Sequence, residues 1–473
     1  MINLILLIIY LILILAVVFL ENKNPQEAIL WVVILLCIPF LGAVLYIVFG
    51  STLNMKITKE IRGRKLKRIT ELNYDNVNNI SNDLEKVYEK YLSESDKKVV
   101  NFNYHYNDSI LTCYEDTEFF INGDTHYKKL FFDIDNAKNS IKVEFYTIHN
   151  DEIGNEFIKR LTKKAEEGVD VYVICDFLAN ISSPTKMFRS LKEAGGKFKR
   201  IKPYVTHFRS HRKIVVIDGE IGYIGGMNIG KQYVNRAKKK NPWRDTQIRI
   251  TGPCVAELEH LFTLDWIFVI SNKEFESFNF KIDRYKEGNY SVDKIMQFVV
   301  GGVDNDKESI KMCYLSMIRN AKKCIRIQSP YFIPDTSILD ELRVAQASGV
   351  NVELMIPGIK ASFFLDPVTT YYCGKLIKYG SKIYKYNGYI HAKTMIIDDD
   401  ICCIGSVNMD IRSLQVDDEI CGVFYSDSIV EEYSNIFNED IKSCKEYKKE
   451  DFNKRTVLDK VKENFFLLFA PLM

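Results

Sequence analysis

The chain opens with two long apolar runs separated by a short polar turn. Residues 2–20 are apolar apart from Asn3 and Tyr10, and residues 28–50 carry no charge. Each run approaches the roughly 20 residues that a helix needs to cross a bilayer. The pattern predicts a transmembrane helical hairpin with spans at 1–20 and 28–50. A cleaved signal peptide is the alternative for the first run, but that run lacks a basic leader and a clear cleavage site.

A basic stretch follows the second apolar run. Seven cations within it are offset only by Glu60, namely Lys56, Lys59, Arg62, Arg64, Lys65, Lys67 and Arg68. The turn between the runs holds one cation, Lys23. This bias predicts that both termini and the body of the protein lie in the cytoplasm, with residues 51–100 as a basic juxtamembrane connector. The stretch serves either as a topology signal alone or also as an attractor of anionic lipid.

From about residue 101 the hydrophobic pattern alternates between helical and strand periods, and it does so twice. The first series predicts a helix at 131–138, a strand at 141–148, a helix at 153–168 and a strand at 169–176. The second series predicts a helix ending at 321, a strand at 325–329, a helix at 339–348 and a strand from 350. Such alternation predicts parallel strands covered by helices. We therefore expect an α/β fold with two duplicated α/β/α halves, at 101–295 and 296–473.

One polar pattern occurs once in each half, with its histidines 180 positions apart. It lies within residues 206–233 and 386–413 and reads His-x-Lys-x4-Asp-x6-Gly-[Gly/Ser]-x-Asn. The first copy comprises His211, Lys213, Asp218, Gly225, Gly226 and Asn228, and the second comprises His391, Lys393, Asp398, Gly405, Ser406 and Asn408. Because side chains two apart on a strand share a face, each histidine should lie beside its lysine.

An imidazole beside an ammonium suits a phosphodiester. The imidazole can attack phosphorus or protonate a leaving oxygen, and the lysine neutralises the phosphate oxygens. Gly226 and Ser406 should let the backbone approach the anion, and Asn228 and Asn408 should add neutral donors. One copy provides half a site. We therefore expect the two copies to face each other across a pseudo-twofold axis, with the active site at the interface of the halves.

The aspartates of the pattern, Asp218 and Asp398, belong to the catalytic motif but should not touch the histidines. Asp218 lies an odd number of residues from His211, at an Asp-Gly turn between two apolar runs, roughly 20 Å away along an extended strand. An aspartate at such a turn is better placed to stabilise turn backbone.

Each histidine still needs a partner on Nδ1 to set its tautomer and to stabilise its charged form. Asp245 follows His211 by 34 residues, and Glu419 follows His391 by 28. We therefore expect Asp245 to orient His211 and Glu419 to orient His391.

The doubled pattern resembles that of the phospholipase D superfamily, and the chain as a whole resembles the bacterial cardiolipin synthases. The stretches 329–335 (SPYFIPD) and 243–246 (WRDT) are also similar to that family, whereas Ser210 stands where the family pattern has Asn. The resemblance implies transfer of a phosphatidyl group from one phosphatidylglycerol to another, through a phosphatidyl-histidine. It implies cardiolipin and glycerol as products, and it favours His211 as the nucleophile, although from the residues alone the two histidines are nearly interchangeable.

The composition of the chain argues against some other functions and against bound cofactors. The net charge of +2 gives no general nucleic-acid signature, so a nuclease of the same superfamily is disfavoured. Eleven cysteines and seven histidines show no ligand spacing, and no P-loop is present, so we expect neither a metal nor a nucleotide cofactor. A hydrolase, a transferase using another alcohol, and a non-catalytic lipid-binding protein remain as alternatives. The predicted partners are phosphatidylglycerol, cardiolipin and a bacterial cell membrane that the chain crosses more than once, with no nucleic acid.

Overall fold

The computed structural model describes residues 2–19, 21, 25–50, 60, 62–63, 92–201, 209–234, 242–276, 294–302, 307–360 and 362–473. Most of the predicted connector 51–100, including six of the seven cations of its basic stretch, lies outside these ranges.

The two N-terminal apolar runs fold into helices that pack on each other. The helices are Ile2–Phe19, Pro25–Cys37 and Pro39–Leu45, followed by a π-helical turn at Tyr46–Gly50. The prediction of one uninterrupted helix over 28–50 is wrong, because Pro39 lacks an N–H and Ile38 before it leaves the helical region, with φ −136°. Within the described residues we find no helix with the length and apolarity needed to traverse a bilayer, so the predicted spans are not confirmed.

Among the described residues from 92 onward, the chain forms twenty strands and the helices between them. The strands are β1 (Leu111–Cys113), β2 (Thr117–Phe120), β3 (Ser140–Phe145), β4 (Asp170–Asp176), β5 (Lys197–Ile201), β6 (Lys213–Ile217), β7 (Ile221–Gly225), β8 (Trp243–Arg244), β9 (Gln247–Thr251), β10 (Ile295–Gly301), β11 (Cys324–Gln328), β12 (Phe332–Ile333), β13 (Asn351–Pro357), β14 (Lys382–Tyr386), β15 (Tyr389–Ile390), β16 (Thr394–Ile397), β17 (Ile401–Gly405), β18 (Met409–Asp410), β19 (Glu419–Phe424) and β20 (Cys444–Glu446). The helices of this part are Glu94–Asn107, Gly123–Asn136, Glu152–Glu166, Arg189–Glu193, Val255–Val269, Asn272–Glu276, Ser309–Asn320, Thr336–Ala347, Leu365–Ile377, Ile411–Gln415, Asp427–Lys442, Lys449–Asn453 and Val457–Leu467.

Two large sheets repeat the same order, which confirms the duplicated halves. The first sheet runs β2-β9-β7-β6-β3-β4-β5, and the second contains β10-β19-β17-β16-β11-β13-β14 in the corresponding places. In each sheet only three strands are parallel, β3-β4-β5 and β11-β13-β14, and the remaining pairs are antiparallel. The expectation of parallel strands therefore holds for the βαβ part of each half but not for the hairpin that carries the polar pattern.

The second sheet has two further strands, β1 and β20, and β1 comes from the start of the predicted first half. β1 pairs with β10, and the helix Glu94–Asn107 packs beside it through Val99 and Val100. This segment straddles the start of the predicted first half at residue 101, yet it joins the core of the second half. The two sheets share one apolar core, to which β6 and β16 contribute Ile214 and Ile396. This shared core holds the two halves of the site against each other.

Candidate active site

Two short backbone pairings across the interface bring the histidines together. In one pairing, the N–H of His211 donates to the carbonyl of Asp418 at 2.8 Å, and the N–H of Asp418 donates to the carbonyl of Arg209 at 2.9 Å. In the other, β15 runs parallel to β8, and the N–H of His391 donates to the carbonyl of Arg244 at 2.6 Å. In each pairing, the residues that precede a histidine run alongside the residues that precede an acid of the opposite half.

Each imidazole is consequently bonded to the acid of the opposite half. Nδ1 of His211 lies 2.8 Å from Glu419, and Nδ1 of His391 lies 2.6 Å from Asp245. The predicted pairing within each half is therefore wrong, although both acids do contact a histidine. The sequence separations of 34 and 28 are compatible with either pairing. Only the packing of the two sheets decides between them.

The two lysines lie beside the histidines and are buried. Lys213 and Lys393 have 0% and 1% of their surface exposed, and each ammonium donates to the carbonyl of its own motif histidine. Burial, together with the nearby charge of Lys393, lowers the pKa of Lys213 to about 7, although Glu419 opposes the shift. Burial likewise lowers the pKa of Lys393 to about 8, against the opposing effect of Asp245. An anion bound beside these two lysines would favour their charged ammonium forms.

The two histidine–acid pairs differ in charge. Burial alone would raise the pKa of Asp245, but His391 and Lys393 lower it on balance, so this carboxylate is ionised. Burial raises the pKa of Glu419 to about 7, although Lys213 opposes the shift. Burial and the lysines lower the pKa of His391 to about 4 and that of His211 well below its usual value. Both imidazoles are therefore neutral before substrate binds, and His391 faces the more fully charged acid.

Asp218 and Asp398 point away from the histidines, as predicted. The carboxylate of Asp218 accepts from the backbone N–H groups of residues 138, 139 and 140 at 2.6–2.9 Å. That of Asp398 accepts from residues 322, 323 and 324 at 2.6–2.9 Å. Both occupy left-handed backbone, with φ of 55° and 53°, a region that Asp tolerates in turns. Each clamps the start of β3 or β11 to the motif hairpin and does not act on a substrate.

Gly226 and Ser406 have a role other than the predicted one. Their N–H groups donate to Thr246 and Ile420 at 2.8 and 2.9 Å, so neither is directed to an anion. A Cβ at Gly226 would lie 2.1 Å from the Asp245 carboxylate, so glycine makes room for that acid. In the second copy the hydroxyl of Ser406 donates to Glu419. Both residues therefore support the acids that orient the histidines.

The two asparagines are placed differently from each other. Asn228 is committed to the fold, since it accepts from the N–H of Thr147 at 3.1 Å and donates to Tyr233 at 2.8 Å. The Oδ1 of Asn408 is buried and has no hydrogen-bond partner among the described residues. Rotation of that amide would present its donors instead. Phosphate binding stays a prediction for both.

Aromatic rings line the histidines on either side. The ring of Tyr146 lies 4.9 Å from that of His211, and Trp243 lies 5.3 Å from His391. Tyr389 lies 6.0 Å from His391 and donates to the hydroxyl of Tyr331 at 3.1 Å. These rings limit the access of water to the imidazoles, whose side chains are each 13% exposed.

A buried charge cluster lies behind His211, and sequence reasoning missed it. Arg62 donates to both oxygens of Asp418 at 3.0 and 2.7 Å, and Arg212 pairs with Asp265. Glu144, also buried, accepts from the hydroxyl of Ser210 at 2.6 Å and has its pKa raised by burial and by Asp265. The sequence pattern places Arg62 in the basic connector, and nothing in that local pattern marks it as the partner of a residue 356 positions away.

Two arginines near the motifs are paired with acids. Arg244 is buried and pairs with Asp440 at 2.7 Å, so it holds the interface together and does not face a substrate. Arg412 pairs with Asp417 at 2.8 Å.

Comparison with known proteins identifies the family. The family model "Cardiolipin synthase, PLD-like domain" matches residues 130–266 and 314–441, and "Phospholipase_D-nuclease N-terminal" matches residues 5–51. The chain belongs to the cardiolipin synthase family. Cardiolipin synthases of Listeria innocua and Clostridium perfringens are both 34% identical to it, each across 96% of this chain and 95% of the relative. The protein is thus a phosphatidyltransferase of the phospholipase D superfamily, and its relatives imply a membrane-associated enzyme.

Solved structures support the fold of this family member. Phosphatidylserine synthase from Haemophilus influenzae aligns with a TM-score of 0.61 at 14% identity, across 79% of this chain and 97% of that one. Polyphosphate kinase from Porphyromonas gingivalis aligns with a TM-score of 0.50 at 12% identity, across 74% of this chain and 52% of that one. At such identities the likeness concerns the duplicated α/β fold alone.

Proposed function

We propose that the protein joins two phosphatidylglycerol molecules into cardiolipin and releases glycerol. The observation that carries this proposal is the pair of neutral, buried imidazoles, each bonded through Nδ1 to an acid and flanked by a buried lysine. With Nδ1–H directed to the acid, Nε2 of each ring is left for the substrate. The two ammonium groups neutralise the phosphodiester, whose arrival favours their charged forms.

In the first step, Nε2 of His211 attacks the phosphorus of the donor. The bond from phosphorus to the glycerol oxygen breaks, and this oxygen takes up the proton that His391 carries on Nε2 once the anionic phosphodiester has bound and favoured the imidazolium. In the second step, His391 removes the proton from a headgroup hydroxyl of the acceptor. That oxygen attacks the phosphorus and displaces His211. One phosphodiester replaces another, so the exchange is reversible and requires no external energy source.

The assignment of His211 as nucleophile is supported by the unequal acids. His391 must carry a positive charge before it can donate a proton, and the ionised Asp245 stabilises that charge. Glu419, with its pKa raised to about 7, gives less support to an imidazolium, which suits a histidine that must begin the reaction neutral.

Conversion of labelled phosphatidylglycerol by the purified protein tests the function. Cardiolipin and glycerol in equal amounts are the expected products. Phosphatidic acid would indicate a hydrolase, and exchange only with added alcohols would indicate a different acceptor. Either result would overturn the proposal.

We also propose that the N-terminal helices anchor the enzyme in the bilayer with the catalytic body in the cytoplasm. Their outward side chains are large and apolar, including Ile12, Phe19, Ile29, Leu36 and Phe40, each more than half exposed. A surface of this kind is typical of membrane contact. A reporter after residue 50 should lie inside the cell and one within 21–27 outside. Digestion of the catalytic body by protease added to intact cells would contradict this topology.

A further inference from the structure

The C-terminal helix Val457–Leu467 has two apolar faces, and the residues that the structure describes cover only one of them. The uncovered side chains are large, and each is more than half exposed, namely Val457, Leu458, Val461, Phe465 and Leu468. At 3.6 residues per turn they fall within an arc of about 100°. They therefore form one stripe along the helix, which we call the C-terminal stripe.

The opposite face fixes this helix to the second half of the protein. Phe466 is buried and belongs to a cluster with Ile333 and Val368. A capping box between Thr456 and Asp459 stabilises the first turn. The stripe is thus held on a docked helix.

Two further exposed aromatic residues extend this surface. Phe363 and Phe364 are 66% and 58% exposed, and each ring lies 5.3 Å from that of Phe466. Beyond the stripe, Leu472 packs against the N-terminal helices, in the cluster that contains Trp31. The uncovered apolar surface therefore adjoins the helices that we propose as the membrane anchor.

Charge around the stripe favours a lipid surface as its occupant. Lys460 and Lys462 are exposed and lie on opposite sides of the arc, whereas Asp459 lies on the far side of the helix. Lysines flanking an apolar face are typical of helices that lie in the headgroup region of an anionic bilayer.

We propose that the C-terminal stripe, with Phe363 and Phe364, docks in the interfacial region of the bilayer as a second membrane contact beside the N-terminal helices. This inference rests on the proposed function, because a lipid substrate places the enzyme at an anionic bilayer. Docking there would also bring the rim of the active site to the lipid. In the neighbouring helix Leu365–Ile377, the hydroxyl of Thr369 accepts a hydrogen bond from the backbone N–H of Phe332 at 3.3 Å. Phe332 directly follows Tyr331 in the chain. Tyr331 in turn contacts Tyr389 at the His391 ring.

Depth-dependent quenching tests the contact directly. The full-length Phe465→Trp protein would be reconstituted into vesicles of phosphatidylglycerol and phosphatidylcholine that carry brominated acyl chains. The matched control is Phe132→Trp, since Phe132 is 59% exposed on the first half, away from this surface. With the signal of the native tryptophans subtracted, we expect quenching at position 465 and none at 132. Equal quenching at both positions, or none at 465, would overturn the proposal.

A kinetic measurement complements the quenching. Val461→Glu with Phe465→Glu should raise the interfacial KM for phosphatidylglycerol about tenfold, equivalent to about 1.4 kcal/mol. Ile181→Glu with Phe132→Glu, equally exposed elsewhere, should leave it unchanged. Self-association is the competing explanation. It would be shown by crosslinked dimers that the stripe substitutions abolish, together with no quenching at 465, and this result would overturn the lipid assignment. Quenching does not depend on turnover, so a failure to form cardiolipin is scored separately.

Discussion

Nδ1 of His391 lies 2.6 Å from the carboxylate of Asp245, a residue 146 positions earlier and in the other half of the protein. His211 is bonded to Glu419 in the same crossed manner, at 2.8 Å. Neither half therefore contains a complete histidine–acid pair. The active site exists only when both halves are docked.

The crossed pairs predict different outcomes for the two acids. Asp245→Asn removes the charge that stabilises the His391 imidazolium, so turnover with phosphatidylglycerol should fall at least a hundredfold. A donor with a nitrophenol leaving group needs no protonation and should still give the phosphatidyl-enzyme at a substantial rate. Measurement of the nitrophenol burst checks this. If the burst is lost with Asp245→Asn but kept with Glu419→Gln, the roles of the histidines are reversed.

The histidines should differ in covalent trapping. His211→Ala should form no phosphatidyl-enzyme with any donor, because the nucleophile is absent. His391→Ala should still trap one with the nitrophenyl donor. Acid-labile label on His391 in the His211→Ala protein, found by peptide mass spectrometry, would refute the assignment.

Burial of Lys213 predicts a pH dependence of stability. Its pKa falls from 10.5 to about 7 on folding, so the unfolded chain binds more protons between these values. The free energy of unfolding of the ligand-free protein should therefore rise with pH from about 7 to 10. Lys213→Met should flatten this rise, while Lys163→Met, at an exposed lysine, should not. Chemical denaturation across this pH range provides the measurement. An unchanged slope in Lys213→Met would show that the ammonium is not the titrating group.

Conversion of Lys213 or Lys393 to Arg should greatly lower turnover, although the residue stays basic. Each ammonium fits a fully buried space beside its histidine, and a planar guanidinium neither fits that space nor reproduces a compact charge. Turnover should fall at least a hundredfold while the protein still folds. Near-normal activity would make these lysines structural.

The buried pair of Arg62 and Asp418 ties the juxtamembrane segment to the backbone that holds His211. Arg62→Met should lower the free energy of unfolding by about 3 kcal/mol, because it leaves the buried Asp418 carboxylate beside Asp265 with only the longer contact to Arg212, at 3.8 Å. Arg189→Met breaks an exposed helical pair and should cost less than about 1 kcal/mol. The comparison requires denaturation of both variants under the same conditions. Equal, small losses would mean that the buried pair contributes little.

Asp218 should matter for stability and not for chemistry. Although burial acts to raise its pKa, three backbone N–H donors lower it on balance, so the ionised form stabilises the fold. This contribution is present above the unfolded pKa and is lost as the pH falls through the folded one. Asp218→Asn should lower Tm near neutral pH but change the turnover of folded enzyme by less than about threefold. A loss as large as that of Lys213→Arg would return Asp218 to the catalytic group.

Local features of this protein could be predicted from its sequence because their causes are local. The spacing of His211 and Lys213 sets their common strand face, and Asp-Gly at 218–219 sets the hairpin turn through its left-handed backbone. The twofold repeat of helices and strands was likewise predictable, since it rests on hydrophobic periodicity.

The tertiary structure alone decided which groups meet across the interface. Asp245 and Glu419 were recognised as histidine partners, but their exchange between halves follows from how the backbone of one half pairs with the other. The recruitment of β1 into the second sheet and the burial of Arg62 against Asp418 have the same origin. The spacing of residues determines which side chains share a face of a strand or helix, and local residue types determine the turns. The choice among chemically equivalent partners is made by the packing of two sheets into one core, a property of the whole chain.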